Sequence, residues 1–122
     1  PREIVFIEKH KIEIDSLEKS GVLLYHAEES MYRKYTNESY ELRAPFEFVI
    51  KHIEYVINLV GVDYVGIGSD FDGIYQPPKE LDDVTDYLKI TKVLVEKGYS
   101  KNDIDKILGG NLLRVFKANE TK

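Results

Sequence analysis

The sequence lacks cysteine and tryptophan altogether and contains a single methionine. Without cysteine there is no disulfide and no thiolate metal site, so a bound metal would need histidine, aspartate or glutamate ligands. No apolar run reaches the length of a membrane span and no signal peptide is recognisable, so the expected compartment is the cytoplasm. The chain also lacks an excess of positive charge, since 22 acidic residues outnumber 17 Lys and Arg and the net charge is −5 at pH 7. That balance argues against nucleic acid or an anionic membrane as the main partner.

The composition is that of a small globular protein. Hydrophobic residues make up 43% of the 122 residues and charged residues 32%, which predicts a single domain over residues 1–122 with one core. Motifs for nucleophilic catalysis are missing, because there is no Gly-x-Ser-x-Gly elbow and no Walker-type phosphate loop. Any catalytic chemistry is therefore expected to depend on carboxylates and histidines.

Short apolar runs alternate with helical patterns along the chain, and this alternation predicts an α/β fold. Residues 3–7 and 22–25 are predicted strands, and residues 30–43 are a predicted tyrosine-rich loop. Residues 45–60 carry apolar side chains at helical spacing and predict a long helix. Residues 64–67, rich in β-branched and aromatic side chains, predict a further strand.

Polar residues and glycines mark where the C-terminal helices are expected to begin and end. Asp83 and Ser100 are predicted N-terminal caps, and Gly98 is a predicted helix stop. Asn111 follows two glycines and is predicted to cap the last helix. The second part of the chain is therefore expected to contain several short helices after the long one.

Residues 65–73 read Val-Gly-Ile-Gly-Ser-Asp-Phe-Asp-Gly, a predicted strand that runs into an acidic turn. Asp70 falls at the carboxyl end of that strand, where α/β enzymes place catalytic groups. Asp72, Gly68 and Gly73 are assigned to substrate contact or to the turn itself. The alternative is an Asx-turn, in which short carboxylates bond nearby backbone amides. An EF-hand calcium loop does not fit, because apolar residues occupy its later ligand positions.

His26 and Glu28 follow the second predicted strand. If that strand continues, side chains two residues apart point to the same side, and the pair becomes a candidate for metal ligation. Together with Asp70, His26 and Glu28 would form a minimal site for a single metal ion. The alternative interpretation is an exposed polar strand end with no ligand.

Several blocks of the chain, taken together, resemble one protein family. These blocks are His52–Tyr55, Leu59–Asp63, Val65–Gly73, Leu81–Val84, Gly98–Ser100 and Ile107–Phe116. Over residues 44–117 the sequence resembles the C-terminal part of the membrane (renal) dipeptidase family. The resemblance implies zinc-dependent hydrolysis of dipeptides on a (β/α)₈ barrel of the metal-dependent hydrolase type. Residues 1–43 match the family only weakly.

The resemblance also implies roles for particular residues. Residues 64–67 resemble the eighth barrel strand, and residues 45–60 resemble the helix before it. Asp70 matches the family's catalytic aspartate, which takes a proton from metal-bound water and returns it to the leaving amine. Zinc is the implied cofactor, but the family's metal ligands lie upstream of the matched region and none is assigned in this chain.

A complete barrel takes about 250 residues, so the chain is expected to be a C-terminal barrel segment that is incomplete by itself. Its open edges predict a second chain with the N-terminal barrel half, or self-association. The predicted function is a dipeptidase-related subunit or fragment that contributes Asp70 to a zinc site whose ligands lie on another chain. By itself the chain is expected to hydrolyse nothing. The alternative is a non-catalytic structural or interaction protein derived from a dipeptidase barrel.

Overall fold

A computed structural model describes residues 2–120, and within that range most of the backbone is helical and none forms a β-strand. The α-helices are α1 (Arg2–Lys9), α2 (Lys11–Lys19), α3 (Leu24–Lys34), α4 (Thr36–Leu42), α5 (Glu47–Val60), α6 (Tyr87–Glu96), α7 (Lys101–Asp105) and α8 (Asn111–Ala118). Short 3₁₀ turns lie at Val62–Tyr64 and Val84–Asp86, and a kinked turn, Lys106–Gly110, joins α7 to α8. None of these helices is both long and apolar enough to cross a membrane.

The prediction of an α/β fold, forming part of a barrel, is therefore wrong for the described residues. Residues 3–7 lie inside α1, and the run 22–25 leads into α3. Short apolar runs fit a helix face as well as a strand, and their length alone does not separate the two. Val65 does have extended dihedral angles, with φ −107° and ψ 136°. No strand between residues 2 and 120 lies beside it to complete the backbone pairing that defines a sheet.

The prediction of a tyrosine-rich loop over residues 30–43 is also corrected, because these residues form the end of α3 and all of α4. The buried Ser39 hydroxyl donates to the Tyr32 carbonyl oxygen at 2.9 Å and fixes α4 against α3. The Tyr32 ring stacks on Phe6 of α1, with ring centroids 4.9 Å apart. Tyrosines and polar residues have only weak helix preferences, so their tertiary contacts decide the conformation here.

The long helix predicted over residues 45–60 is confirmed as α5. It ends at Gly61, whose φ of +91° is a conformation that glycine adopts without strain. Two predicted caps are also confirmed. The Asp83 side chain caps the turn Val84–Asp86, and the Ser100 side chain accepts a hydrogen bond from the Asp103 amide at the start of α7.

Buried apolar side chains form two clusters along the chain. The N-terminal cluster joins α1, α2 and α3 through Phe6, Ile14, Ala27 and Met31. The C-terminal cluster lies between α5, α6, α7 and the turns, and consists of Ile50, Ile53, Val65, Leu81, Ile90, Leu94, Ile104 and Ile107. Val65 belongs to the second cluster, so the segment that leads to Asp70 starts from the core.

Candidate functional site

Asp70 opens a tight turn after a short segment that is neither helix nor strand. The chain leaves α5, passes through the 3₁₀ turn Val62–Tyr64 and continues to Ser69 as neither helix nor strand, with extended dihedral angles at Val65. The main-chain carbonyl of Asp70 then accepts hydrogen bonds from the amides of Gly73 and Ile74, both at 2.9 Å. Because the turn closes through this carbonyl, the Asp70 carboxylate is left available for other contacts.

The carboxylates of Asp70 and Asp72 are exposed, and neither accepts a hydrogen bond or forms an ion pair with another residue of the range 2–120. The predicted alternative of an Asx-turn is therefore not what holds this turn. The Asp70 carboxylate instead lies directly over Gly73, where an added Cβ would fall closer to it than any real van der Waals contact. The absence of a side chain at Gly73 thus makes room for the carboxylate of Asp70.

The turn borders a cleft of about 330 Å³. Its walls are mostly apolar, and its lining includes Gly66, Ile67, Asp70, Phe71, Ile74 and Tyr87. The Phe71 and Tyr87 rings approach each other, with centroids 5.8 Å apart. The volume is within the range that small-ligand pockets occupy, and a carboxylate at the edge of apolar walls is a common arrangement in such pockets.

Asn111 holds the segment that leads to Asp70. Its side-chain amide donates to the carbonyl oxygens of Val62 at 2.7 Å and Val65 at 2.8 Å, and only 7% of the residue is exposed. The prediction that Asn111 caps α8 is therefore wrong, since α8 begins at Asn111 itself and Gly110 occupies the cap position. The side chain reaches away from its own helix to these two carbonyls, and its bond to the Val65 carbonyl is buried.

Three further contacts fix the same segment. The Ile67 amide donates to the Ile107 carbonyl at 3.2 Å, and the Arg114 guanidinium donates to the Asp63 carbonyl at 2.7 Å. The Lys106 ammonium lies 2.6 Å from the Asp63 carboxylate. This hydrogen bond with Lys106 holds the pKa of the Asp63 carboxyl below its usual range. Residues 106–114 thus bind two backbone groups of the predicted strand, the Val65 carbonyl and the Ile67 amide.

Arg43 holds the chain on the other side of the Asp70 turn. Its guanidinium donates to the carbonyl oxygens of Pro77 and Pro78, each at 2.6 Å, and pairs with the Asp82 carboxylate at 2.7 Å. The side chain is only 11% exposed, and all three groups come from the loop that follows the turn. Sequence reasoning missed this role because no local pattern links Arg43 to carbonyls more than 30 residues away.

His26 and Glu28 lie in α3 and not on a strand. Residues two apart on a helix are separated by about 200° around its axis, so the two side chains do not share a face. His26 instead contacts Glu29, with Nδ1 and Oε2 3.4 Å apart. Among residues 2–120 there is no group of three His, Asp or Glu side chains that could hold a metal ion. The residues present therefore do not fit a zinc site by themselves.

Comparison with known proteins identifies relatives over most of the chain. Residues 5–122 match the family described as membrane dipeptidase, peptidase family M19. The chain is 41% identical over 99 residues to Dipeptidase aclJ of Aspergillus oryzae, covering 81% of this chain and 22% of that protein. It is 46% identical over 72 residues to Dipeptidase ataJ of Aspergillus terreus, covering 59% of this chain and 18% of that protein. An uncharacterized dipeptidase of Schizosaccharomyces pombe is 36% identical over 92 residues, covering 75% and 22%.

No solved structure matches the chain significantly. The chain spans about a fifth of the length of these three relatives. The family match begins at residue 5, so it extends well beyond residues 44–117, where the sequence motifs carry the resemblance. The chain therefore belongs to the membrane dipeptidase family, peptidase family M19.

Proposed function

We propose that this chain supplies Asp70 as the proton-transferring carboxylate of a dipeptide-hydrolysing site. In this role Asp70 accepts a proton from the attacking water and returns it to the amine that leaves when the peptide bond breaks. The relatives named dipeptidases support the reaction class. The observation that carries the proposal is the position of Asp70, a residue that lines a cleft and whose carboxylate has no competing partner among residues 2–120.

Neighbouring residues would position this carboxylate and the substrate. Gly73 leaves the space into which the Asp70 carboxylate is folded, and Gly68 lines the cleft without a side chain. Asp72 is exposed on the same turn and is assigned to the turn, with no part in proton transfer. The apolar wall that includes Phe71 and Tyr87 would exclude water from the apolar atoms of a bound substrate.

The zinc that the family resemblance implies would have to be held by side chains outside residues 2–120, since these residues offer no suitable group of ligands. We place those ligands on another polypeptide segment of the dipeptidase family. That assignment agrees with the length comparison, because about four-fifths of each relative has no counterpart in this chain. The chain is then one part of a complete enzyme.

The experiment compares the isolated chain with the chain purified through an affinity tag from its native source. We expect the isolated chain to bind no stoichiometric zinc and to leave a panel of unmodified dipeptides intact. The native material is expected to contain zinc and to hydrolyse the same dipeptides, whereas N-acetylated tripeptides, used as the specificity control, should remain uncut.

Two results would contradict the proposal. Turnover of dipeptides by the isolated chain at a normal enzymatic rate would show that the site is complete within these residues. Native material without zinc and without dipeptidase activity would favour the alternative, a structural or interaction protein that has kept only the family's sequence.

A further inference from the structure

The last helix is attached to the rest of the molecule by its polar side. Asn111 and Arg114 of α8 donate hydrogen bonds to the carbonyls of Val62, Val65 and Asp63. Asn111 is the one residue of α8 that is buried. A surface helix ordinarily turns its apolar side to the core and its polar side to water, so α8 has the opposite orientation.

The apolar side of α8 consequently faces away from the core. It consists of Leu112, Leu113, Val115 and Phe116, whose exposed fractions range from 48% to 66%. These residues lie within one half of the helix circumference and form a continuous stripe. We refer to them as the α8 apolar face. Large apolar residues collected on one exposed face usually mark a surface that another molecule covers.

The helix α5 also exposes apolar side chains, because its apolar stripe is wider than the part that packs against the core. Its inner side contributes Ile50 and Ile53 to the C-terminal cluster. Its outer side, which we call the α5 outer face, carries Tyr55, Val56, Leu59 and Val60, exposed by 38% to 68%. Exposed apolar residues collected on one side of a helix usually mark a surface that another molecule covers.

Both faces belong to the elements that hold the segment before Asp70. The 3₁₀ turn Val62–Tyr64 follows α5 directly and is bonded to α8 through Asn111. A polypeptide that covers the two faces would therefore lie beside the supports of the candidate catalytic aspartate.

We propose that the α8 apolar face and the α5 outer face are the docking surface for the remaining part of a dipeptidase-family polypeptide, the part that carries the metal ligands. This inference rests on the proposed function, which requires such ligands from outside the chain. About four-fifths of each relative's length is available to provide the occupant. A second copy of this chain would bring only the same residues, among which positions 2–120 offer no metal-ligand group.

The first experiment places a photo-crosslinking amino acid at Phe116 in the tagged chain, produced in its native source. Irradiation should join Phe116 to peptides that match the dipeptidase family outside these 122 residues, whether they lie on the same polypeptide or on another. Ile12 on α2 is the matched control, since it is apolar and 86% exposed but lies far from α8 in sequence. A crosslink from Phe116 to a second copy, to lipid or to an unrelated protein, or none at all, would overturn the proposal.

The second experiment measures zinc in material purified through the tag. Phe116→Glu and Leu113→Glu should each reduce the zinc per chain at least tenfold, whereas Ile12→Glu should leave it unchanged. All three side chains are more than half exposed, so the helical circular dichroism of the isolated chain should be preserved. Zinc in the wild-type material and equal zinc in the Phe116→Glu material would overturn the docking surface alone. Wild-type material without zinc would instead contradict the proposed function.

Discussion

At the residue scale, the candidate site consists of one carboxylate and three residues that hold its surroundings. Asp70 could be predicted from the sequence, because an acidic turn after an apolar run is a local pattern. Asn111 and Arg43 could not, because their partners are main-chain carbonyls 34 to 49 residues away and any residue type supplies a carbonyl. The sequence places Gly73 in the turn, but the close contact of Gly73 with the Asp70 carboxylate depends on the folded backbone.

The contact between Gly73 and Asp70 leads to a first prediction. In Gly73→Ala the new methyl group would overlap the Asp70 carboxylate, which is the mobile end of an exposed side chain and can rotate away. We therefore expect the free energy of unfolding to change by less than about 1 kcal/mol, while the carboxylate moves to another position. A crystal structure and urea unfolding test both parts. Gly66→Ala is the control, since no atom lies within 4 Å of an added Cβ there, and an unmoved Asp70 in Gly73→Ala would contradict the prediction.

Asn111→Ala should be more costly to the fold. The substitution leaves the Val62 and Val65 carbonyls without their side-chain donor, and the second of these bonds is buried. We expect the free energy of unfolding to fall by about 1–3 kcal/mol, with faster hydrogen exchange at the Ile67 amide. Asn119→Ala is the matched control, because Asn119 makes one exposed bond to Val115 and should cost no more than about 0.5 kcal/mol. Equal losses of unfolding free energy in the two variants would show that Asn111 does not support the segment before Asp70.

At the element scale, the molecule replaces strand pairing by side-chain and turn contacts from residues 106–114. The helix α5 could be predicted because its fourteen residues maintain one apolar stripe and end at a glycine. The short runs 3–7 and 22–25 could not be assigned, because four or five apolar residues satisfy helical and strand spacing equally. For residues 64–67 the sequence indicates an extended backbone but contains nothing that reveals whether a neighbouring strand is present.

The Asp63–Lys106 pair at this support predicts a dependence of stability on pH. Its hydrogen bond lowers the Asp63 pKa in the folded chain, so the carboxylate is stabilised relative to the unfolded state. That contribution is fully present above the ordinary carboxyl pKa and is lost as the pH falls through the lowered value. In Lys106→Met the Asp63 midpoint, followed by NMR, should rise toward its usual range.

The control for this titration is Lys92→Met, which removes a lysine that pairs with Glu96 on α6. It should leave the Asp63 midpoint unchanged. We expect the free energies of unfolding of wild type and Lys106→Met, measured in urea, to approach each other as the pH is lowered from 7 to 3. If the two free energies of unfolding moved further apart at low pH, the prediction would be contradicted, because a carboxyl whose pKa is lowered by folding contributes less stability there.

At the scale of the whole molecule, two apolar clusters are joined across the loop that follows Asp70. Arg43 connects the end of α4 with Pro77, Pro78 and Asp82. The Tyr25 ring of α3 also lies against Tyr75 of this loop, with centroids 4.8 Å apart. The composition predicts one domain but does not indicate two apolar clusters. Which side chains pack together, and which contacts connect the clusters, depends on residues that are distant in sequence.

Arg43→Met should loosen this connection. The variant loses two charged hydrogen bonds to carbonyls and one ion pair from a largely buried guanidinium, so we expect the free energy of unfolding to fall by about 2 kcal/mol. Arg33→Met is the control, because the Arg33 side chain is 77% exposed and pairs only within α3, and should cost about 0.5 kcal/mol or less. Thermal and urea unfolding of both variants measure the difference, and a loss no larger than the control's would argue against a structural role for Arg43.

Dipeptide hydrolysis by the tagged native material, compared between wild type and Asp70→Asn at equal zinc content, tests the role of Asp70 most directly. Asn is nearly isosteric with Asp but cannot accept the proton, so we expect the rate to fall by about 10²–10⁴-fold. Asp72→Asn on the same turn should stay within a few-fold of wild type. Asp70→Asn material with undiminished zinc and a rate within threefold of wild type would show that Asp70 does not transfer the proton.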